Sequence, residues 1–140
     1  MMAKGVPNSA IDKSAREAFQ PITDEAVSLA KGHRQPRRPK GGHIDENIKF
    51  LRRKDSTRRV RNFVLGAVGK RKSILTWLEF GVAPHVQPIR LRGGIHPGHR
   101  PFPIMRPAYD AHSQEVTERF GREIWKYVAA MALTINKGRK

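Results

Sequence analysis

Pro101-Phe102-Pro103-Ile104-Met105-Arg106-Pro107-Ala108-Tyr109-Asp110 stands where a proline-rich stretch gives way to a long helical pattern. Proline is tolerated in the first turn of a helix, where its missing N–H has no intrahelical partner to lose, so Pro107 marks a helix start. From there Tyr109, Val116, Phe120, Ile124, Tyr127 or Val128, Met131 and Ile135 recur at helical spacing and predict one long amphipathic face. Gly138 ends the pattern, and Lys137, Arg139 and Lys140 form a basic tail suited to a helix C-terminus.

Upstream of this start, Val82 to Met105 is broken by Pro84, Pro88, Pro97, Pro101 and Pro103 and by Gly93, Gly94 and Gly98. Such a long irregular stretch in a small domain is usually functional or disordered. Arg90-Leu91-Arg92-Gly93-Gly94 reads as a hairpin tip. Ile89, Leu91 and Ile95 are candidate contacts with a neighbouring subunit. Ser73 to Phe80 (SILTWLEF) is apolar but too short for periodicity to separate strand from helix. Arg59 to Val68 is the clearest strand, followed by a turn at Gly69-Lys70. Ile44 to Leu51 suits a short helix or a strand.

Nearer the N-terminus, Ile11, Ala15, Ala18, Phe19, Ile22, Ala26 and Leu29 mark one helix face, with a kink or break expected at Pro21. Ser9 and Asp12 resemble a capping box, and Gly32 is the expected stop. His33 to Gly42 (HRQPRRPKGG) predicts an exposed, self-repelling loop. The fold class is therefore α+β: a kinked helix, a small antiparallel sheet, a long loop and a long C-terminal helix. The expected organisation is a flexible arm over 1–8, one domain over 9–136 and a basic tail over 137–140. Within the domain lie a basic loop at 32–43 and a contact loop at 82–105.

The 140 residues include 28 Lys+Arg against 12 Asp+Glu, a formal charge of +16. Between Lys31 and Lys72 fifteen cations face only Asp45, Glu46 and Asp55, a net of +12. A field of this kind attracts polyanions. Arg37, Arg38, Lys40, Arg52, Arg53, Lys54, Arg58 and Arg59 are the candidates for contact with DNA phosphates, and Lys70-Arg71-Lys72 is a further basic run. Few aromatics lie among these cations, which argues against base-stacking recognition, and no recognition helix or zinc-finger pattern appears.

There are no cysteines. His96 and His99 flank Pro97-Gly98 without a nearby carboxylate, so no metal site is expected. Glu79 and Asp110 could be imagined as a general acid–base pair, but nothing in the sequence positions them. Gly93-Gly94 leads into Ile95-His96, not into a P-loop. Neither an enzyme nor a cofactor is expected. No apolar run suggests a signal peptide or membrane helix.

Trp77-Leu78-Glu79-Phe80-Gly81, followed by Pro101-Phe102 and Arg106-Pro107-Ala108, resembles the gene-product-ten-like tail-component family of long-tailed bacteriophages. That family shows an aromatic-x-Glu-Phe-Gly run and a Pro-Phe-x-x-Arg-Pro-Ala stretch opening the last helix; here the second stretch carries one extra residue, and the loop before it is longer. Gln20-Pro21-Ile22, Glu25-Ala26 and the Gly41 to Ile48 segment extend the likeness, which covers most of residues 9–131.

The motif residues read as scaffolding. Gly81 turns the chain, Phe102 anchors the incoming strand under the core, Arg106 pairs with Glu79, and Pro107 starts the helix. The resemblance implies a ring, of six subunits by expectation, in the neck of a virion. Its partners would be a portal, connector or stopper protein on one side and a tail terminator or tail-tube protein on the other. Double-stranded DNA would pass through, and assembly would take place in the host cytoplasm. Charge alone supports an alternative, a sequence-nonspecific nucleic-acid-binding protein.

Overall fold

Pro21 has no N–H to offer the carbonyl four residues back, and the first helix stops just ahead of it. In the computed structural model, which describes residues 6–34, 36–57, 59–87 and 93–137 (backbone alone for 135–137), α1 spans Asn8–Ala18 and α2 spans Gln20–Lys31. Phe19 makes the joint, and Pro21 sits in the first turn of α2. The helical start at Asn8 shortens the expected arm, of which residues 1–5 lie outside the described residues.

The capping box does not form. Pro7 takes the N-cap position, its carbonyl accepting from Ala10 and Ile11. Asp12 instead reaches across to Arg52 at 3.0 Å and Arg61 at 3.4 Å. Helix α2 ends at Gly32 as expected.

A 3-10 turn at Asp45–Asn47 leads into β1 (Ile48–Arg52), which pairs antiparallel with β2 (Phe63–Ala67). The register sets Ile48 opposite Ala67 and Arg52 opposite Phe63. Alternation decides between strand and helix here: Ile48 and Phe50 are buried, whereas Lys49 and Leu51 are exposed. Phe50 stacks between Phe19 and Phe63, with centroids 5.1 and 5.2 Å away.

The strand expected over 59–68 is shorter than its composition suggests. The Thr57 hydroxyl accepts from the Arg59 and Val60 amides, and the Ser56 hydroxyl accepts from Asn62 N–H. Local side-chain bonds of this kind compete with a ladder and hold residues 59–62 in the loop.

Gly69–Arg71 forms the expected turn, as a 3-10 segment, and α3 follows over Lys72–Phe80. Leu75 is buried while Ile74 and Leu78 pack partly on the core, a helical spacing that settles the ambiguous segment. Beyond α3 a second, three-residue hairpin pairs β3 (His85–Gln87) with β4 (Gly94–His96). The α+β class holds, and among the described residues the expected antiparallel pairing is present as two two-stranded ribbons; the hairpin tip at 88–92 lies outside the described residues.

The last described element is α4, Met105–Lys137, whose 33 residues extend about 50 Å at ~1.5 Å per residue; the expected stop at Gly138 and the tail residues Arg139 and Lys140 lie outside the described residues. Both α1 and α2 pack on it. The core gathers Ala18, Ile22, Ala26, Ala30, Ile44, Ile48, Leu75, Ile104, Ala108 and Val116. Six of the thirteen buried apolar residues are alanines, so the helices approach closely and the core is thin. The expected α4 face holds at Val116, Phe120, Ile124, Tyr127 and Met131, but Tyr109 is 55% exposed and its neighbour Ala108 takes the inward position.

Candidate functional site

The first amides of any helix lack intrahelical acceptors, and α4 has no acid in its first turn to supply one. The acceptor comes from α3. Glu79 Oε2 accepts from the backbone N–H of Ile104 at 2.7 Å and Met105 at 3.0 Å, and Oε1 accepts from Arg106 N–H at 3.0 Å. The next residue, Pro107, has no N–H. All the unpaired donors at this helix start are thus satisfied or missing. Burial alone would raise the Glu79 carboxyl, but the three amides, with the Arg106 charge, outweigh it and hold the group below its usual value.

Around this carboxylate the chain closes a clasp. Gly81 caps α3 with φ +75°, and a Cβ there would lie 2.9 Å from the His99 carbonyl oxygen and from the Pro101 ring. Val82 and His99 exchange two 3.0 Å backbone bonds, and Phe102 N–H donates to the Leu78 carbonyl at 2.6 Å. At Gly98, φ is +74° and a Cβ would overlap the Val82 carbonyl oxygen. Only glycine fits at these two close approaches.

Several motif expectations change. Glu79 binds the Arg106 backbone amide, not its guanidinium. Phe102 is 39% exposed, edge-on to His33, and does not anchor the core; fully buried Ile104 does. Pro107 is the third residue of α4, within its first turn. Pro101, Arg106 and Pro107 are exposed, Ala108 is buried, and Trp77 and Phe80 turn outward. Both Glu79 oxygens accept backbone bonds, and Asp110 is exposed on the next turn.

The hairpin leaves this clasp with an apolar face. Val86 lies directly across from Ile95, at 60% and 71% exposure. Ile89 and Leu91 lie outside the described residues. The opposite face carries His85 stacked on His96, with centroids 5.1 Å apart. His96 Nδ1 accepts from Gly98 N–H, so the ring holds the hairpin base. Among the described residues no group of three or more His, Asp or Glu is placed to hold a metal ion, and no helix is long and apolar enough to cross a membrane.

The basic residues separate into two groups at opposite ends of the β1–β2 ribbon. At its tip the acids neutralise arginines: Asp12 faces Arg52 and Arg61, and Asp55 faces Arg53 at 3.1 Å. Among the candidates there, Lys54 and Arg59 are exposed without a salt bridge among the described residues, and Arg58 lies outside them.

At the root, buried Asp45 accepts from Arg34 at 2.6 Å, and Glu46 accepts from Arg38 at 2.9 Å. These pairs lower both carboxyl pKa values, chiefly through the arginine hydrogen bonds. They also pin the loop that repulsion was expected to extend. Arg71 Nη2 donates to the Lys40 carbonyl at 3.1 Å and its side chain lies against Gly41, bringing the Lys70–Lys72 run beside Lys40.

Two features escaped the sequence reading. The Glu79 cap joins residues 25 to 27 positions apart, though the absence of any capping side chain just before Met105 was a visible sign that one must come from elsewhere. Asp12 lies forty residues from Arg52, and nothing local to either signals the pair.

No family model, curated protein or solved structure matches the chain.

Proposed function

We propose that this chain is a non-catalytic structural subunit of the head–tail junction of a tailed bacteriophage. Copies assemble into a ring, six by expectation, that joins a portal, connector or stopper protein to a tail terminator or tail tube. Double-stranded DNA passes through its opening. The chain would assemble in the host cytoplasm and reside in the virion neck, without a cofactor or membrane association.

The observation that carries this reading is the clasp. The two segments that bear the family resemblance are joined through their backbones, with the Glu79 carboxylate tying the end of α3 to the start of α4. A subunit that transmits load between neighbours benefits from such a joint. The same unit projects a hairpin whose Val86–Ile95 pair is exposed, and Phe80 at the end of α3 is 66% exposed. An exposed cross-strand pair such as Val86 and Ile95 is more readily understood as contact surface than as solvated surface.

A second reading is favoured by the +16 charge: a solitary sequence-nonspecific nucleic-acid-binding protein. The two readings separate on assembly. Native mass spectrometry and negative-stain microscopy of the purified chain should find closed rings. The double substitution Val86→Asp with Ile95→Asp should leave the circular dichroism and melting temperature of the subunit intact while abolishing rings. A chain that stays monomeric at every concentration, yet binds DNA tightly, sinks the first reading in favour of the second.

A further inference from the structure

The charge of the ribbon is not uniformly available. At the tip, Arg52, Arg53 and Arg61 already face carboxylates, and Arg61 retains only 14% side-chain exposure. A phosphate arriving there competes with an internal partner for each of them. At the root, Glu46 is bonded to Arg38 and Asp45 to Arg34, which leaves Arg37, Lys40, Lys70, Arg71 and Lys72 without a salt bridge among the described residues. The ends are about 13 Å apart, taking ~3.3 Å per strand residue, so the two groups act separately.

We infer that the root strip, Arg37, Lys40 and Lys70–Lys72, is the surface that contacts the phosphate backbone of double-stranded DNA. This rests on the proposed passage of DNA through the assembly, and it identifies which cations meet it. Three observations support the assignment. First, five cations at the root lack a salt bridge among the described residues, against Lys54 and Arg59 at the tip, so more of the root's field is left uncancelled. Second, Arg71 is held by the Lys40 carbonyl and packed against Gly41, which fixes one charge and brings two segments, thirty residues apart, into one strip. Third, no aromatic residue occurs in 33–42 or 69–73 apart from His33, which is edge-on to Phe102. Cations without stacking partners fit phosphates and not unpaired bases.

The strip implies a salt-sensitive, sequence-blind contact. Each phosphate neutralised contributes roughly −0.9 to the slope of log K against log salt for duplex DNA. Anisotropy titrations of the purified full chain with a mixed-sequence duplex, over a range of NaCl concentrations, test it. The triple substitution Lys40→Gln, Lys70→Gln and Lys72→Gln should weaken binding at least tenfold near 0.1 M salt and reduce the slope by about 2 to 3. The tip pair Lys54→Gln with Arg59→Gln should change affinity by less than about threefold.

All five substituted side chains are exposed, so melting temperature and ring formation serve as the folding controls. A root variant that keeps its affinity, or a tip variant that loses more, overturns the strip while leaving the ring and DNA passage standing. If the unaltered chain ignores duplex DNA, or prefers phosphatidylserine vesicles to it, both the strip and the DNA contact fall. Ring formation would still be judged by its own measurement.

Discussion

The clasp and the ribbon use carboxylates in opposite ways. In the clasp one carboxylate, Glu79, serves three backbone amides and ties two helices. Around the ribbon Asp12, Asp45, Glu46 and Asp55 each serve arginine side chains, Glu46 also accepting from the His43 amide. The first arrangement sets the angle at which α4 leaves α3. The second decides which cations are neutral in effect and which remain to attract a polyanion. In a chain with 12 acids and 28 Lys+Arg, the placement of a few carboxylates determines both stability and the shape of the electric field.

If the comparison holds, the largest loss of stability comes from the clasp. Glu79→Ala leaves three amides without acceptors and should cost about 2–3 kcal/mol in urea denaturation, with Glu79→Gln intermediate because an amide offers a single oxygen. A loss below about 0.5 kcal/mol would make the carboxylate incidental. Gly81→Ala, which forces a Cβ against the His99 carbonyl and the Pro101 ring at positive φ, should cost about 1–3 kcal/mol.

Acid comes next, and it acts on both regions. Glu79, Asp45 and Glu46 all have folded-state pKa values below their ordinary ones. A depressed carboxyl contributes stability that is fully present above its unfolded value. That contribution is lost as pH falls through the folded value. The contribution of these carboxylates should therefore be constant from neutrality to about pH 5 and decline below about pH 4.5, and the decline should be shallower in Glu79→Ala. A melting temperature insensitive to pH between 5 and 3 would contradict the carboxylate roles.

The smallest effect belongs to the ribbon tip. Arg53→Ala breaks an exposed pair with Asp55 and should move the melting temperature by no more than about 1–2 °C.

Elements whose signal is local were readable in the sequence. Pro21 announced the break between α1 and α2, Gly69-Lys70 the turn after β2, and Gly93-Gly94 the hairpin beyond α3. What escaped depends on partners far along the chain. Ser73 to Phe80 became a helix because Leu75 and Leu78 face a core built by other elements. β2 shortened because Ser56 and Thr57 captured amides in the loop before it.

At the site, Gly81 turns the chain at φ +75° and Pro107 lies in the first turn of α4, both local signals of the residue type. The partner of Glu79 was misassigned because opposite charge suggests the Arg106 guanidinium, whereas an uncapped helix start competes for the same carboxylate and is nearer. The eight candidate phosphate contacts, read from charge alone, could not show that Arg38, Arg52 and Arg53 already have acids.

The most direct test of the proposed role is to remove the gene for this chain from its source genome, a tailed phage on this proposal, and image the lysate by electron microscopy. The account predicts heads and tails that accumulate separately, with joining restored when the chain is supplied. Joined, infectious particles lacking the polypeptide would contradict it.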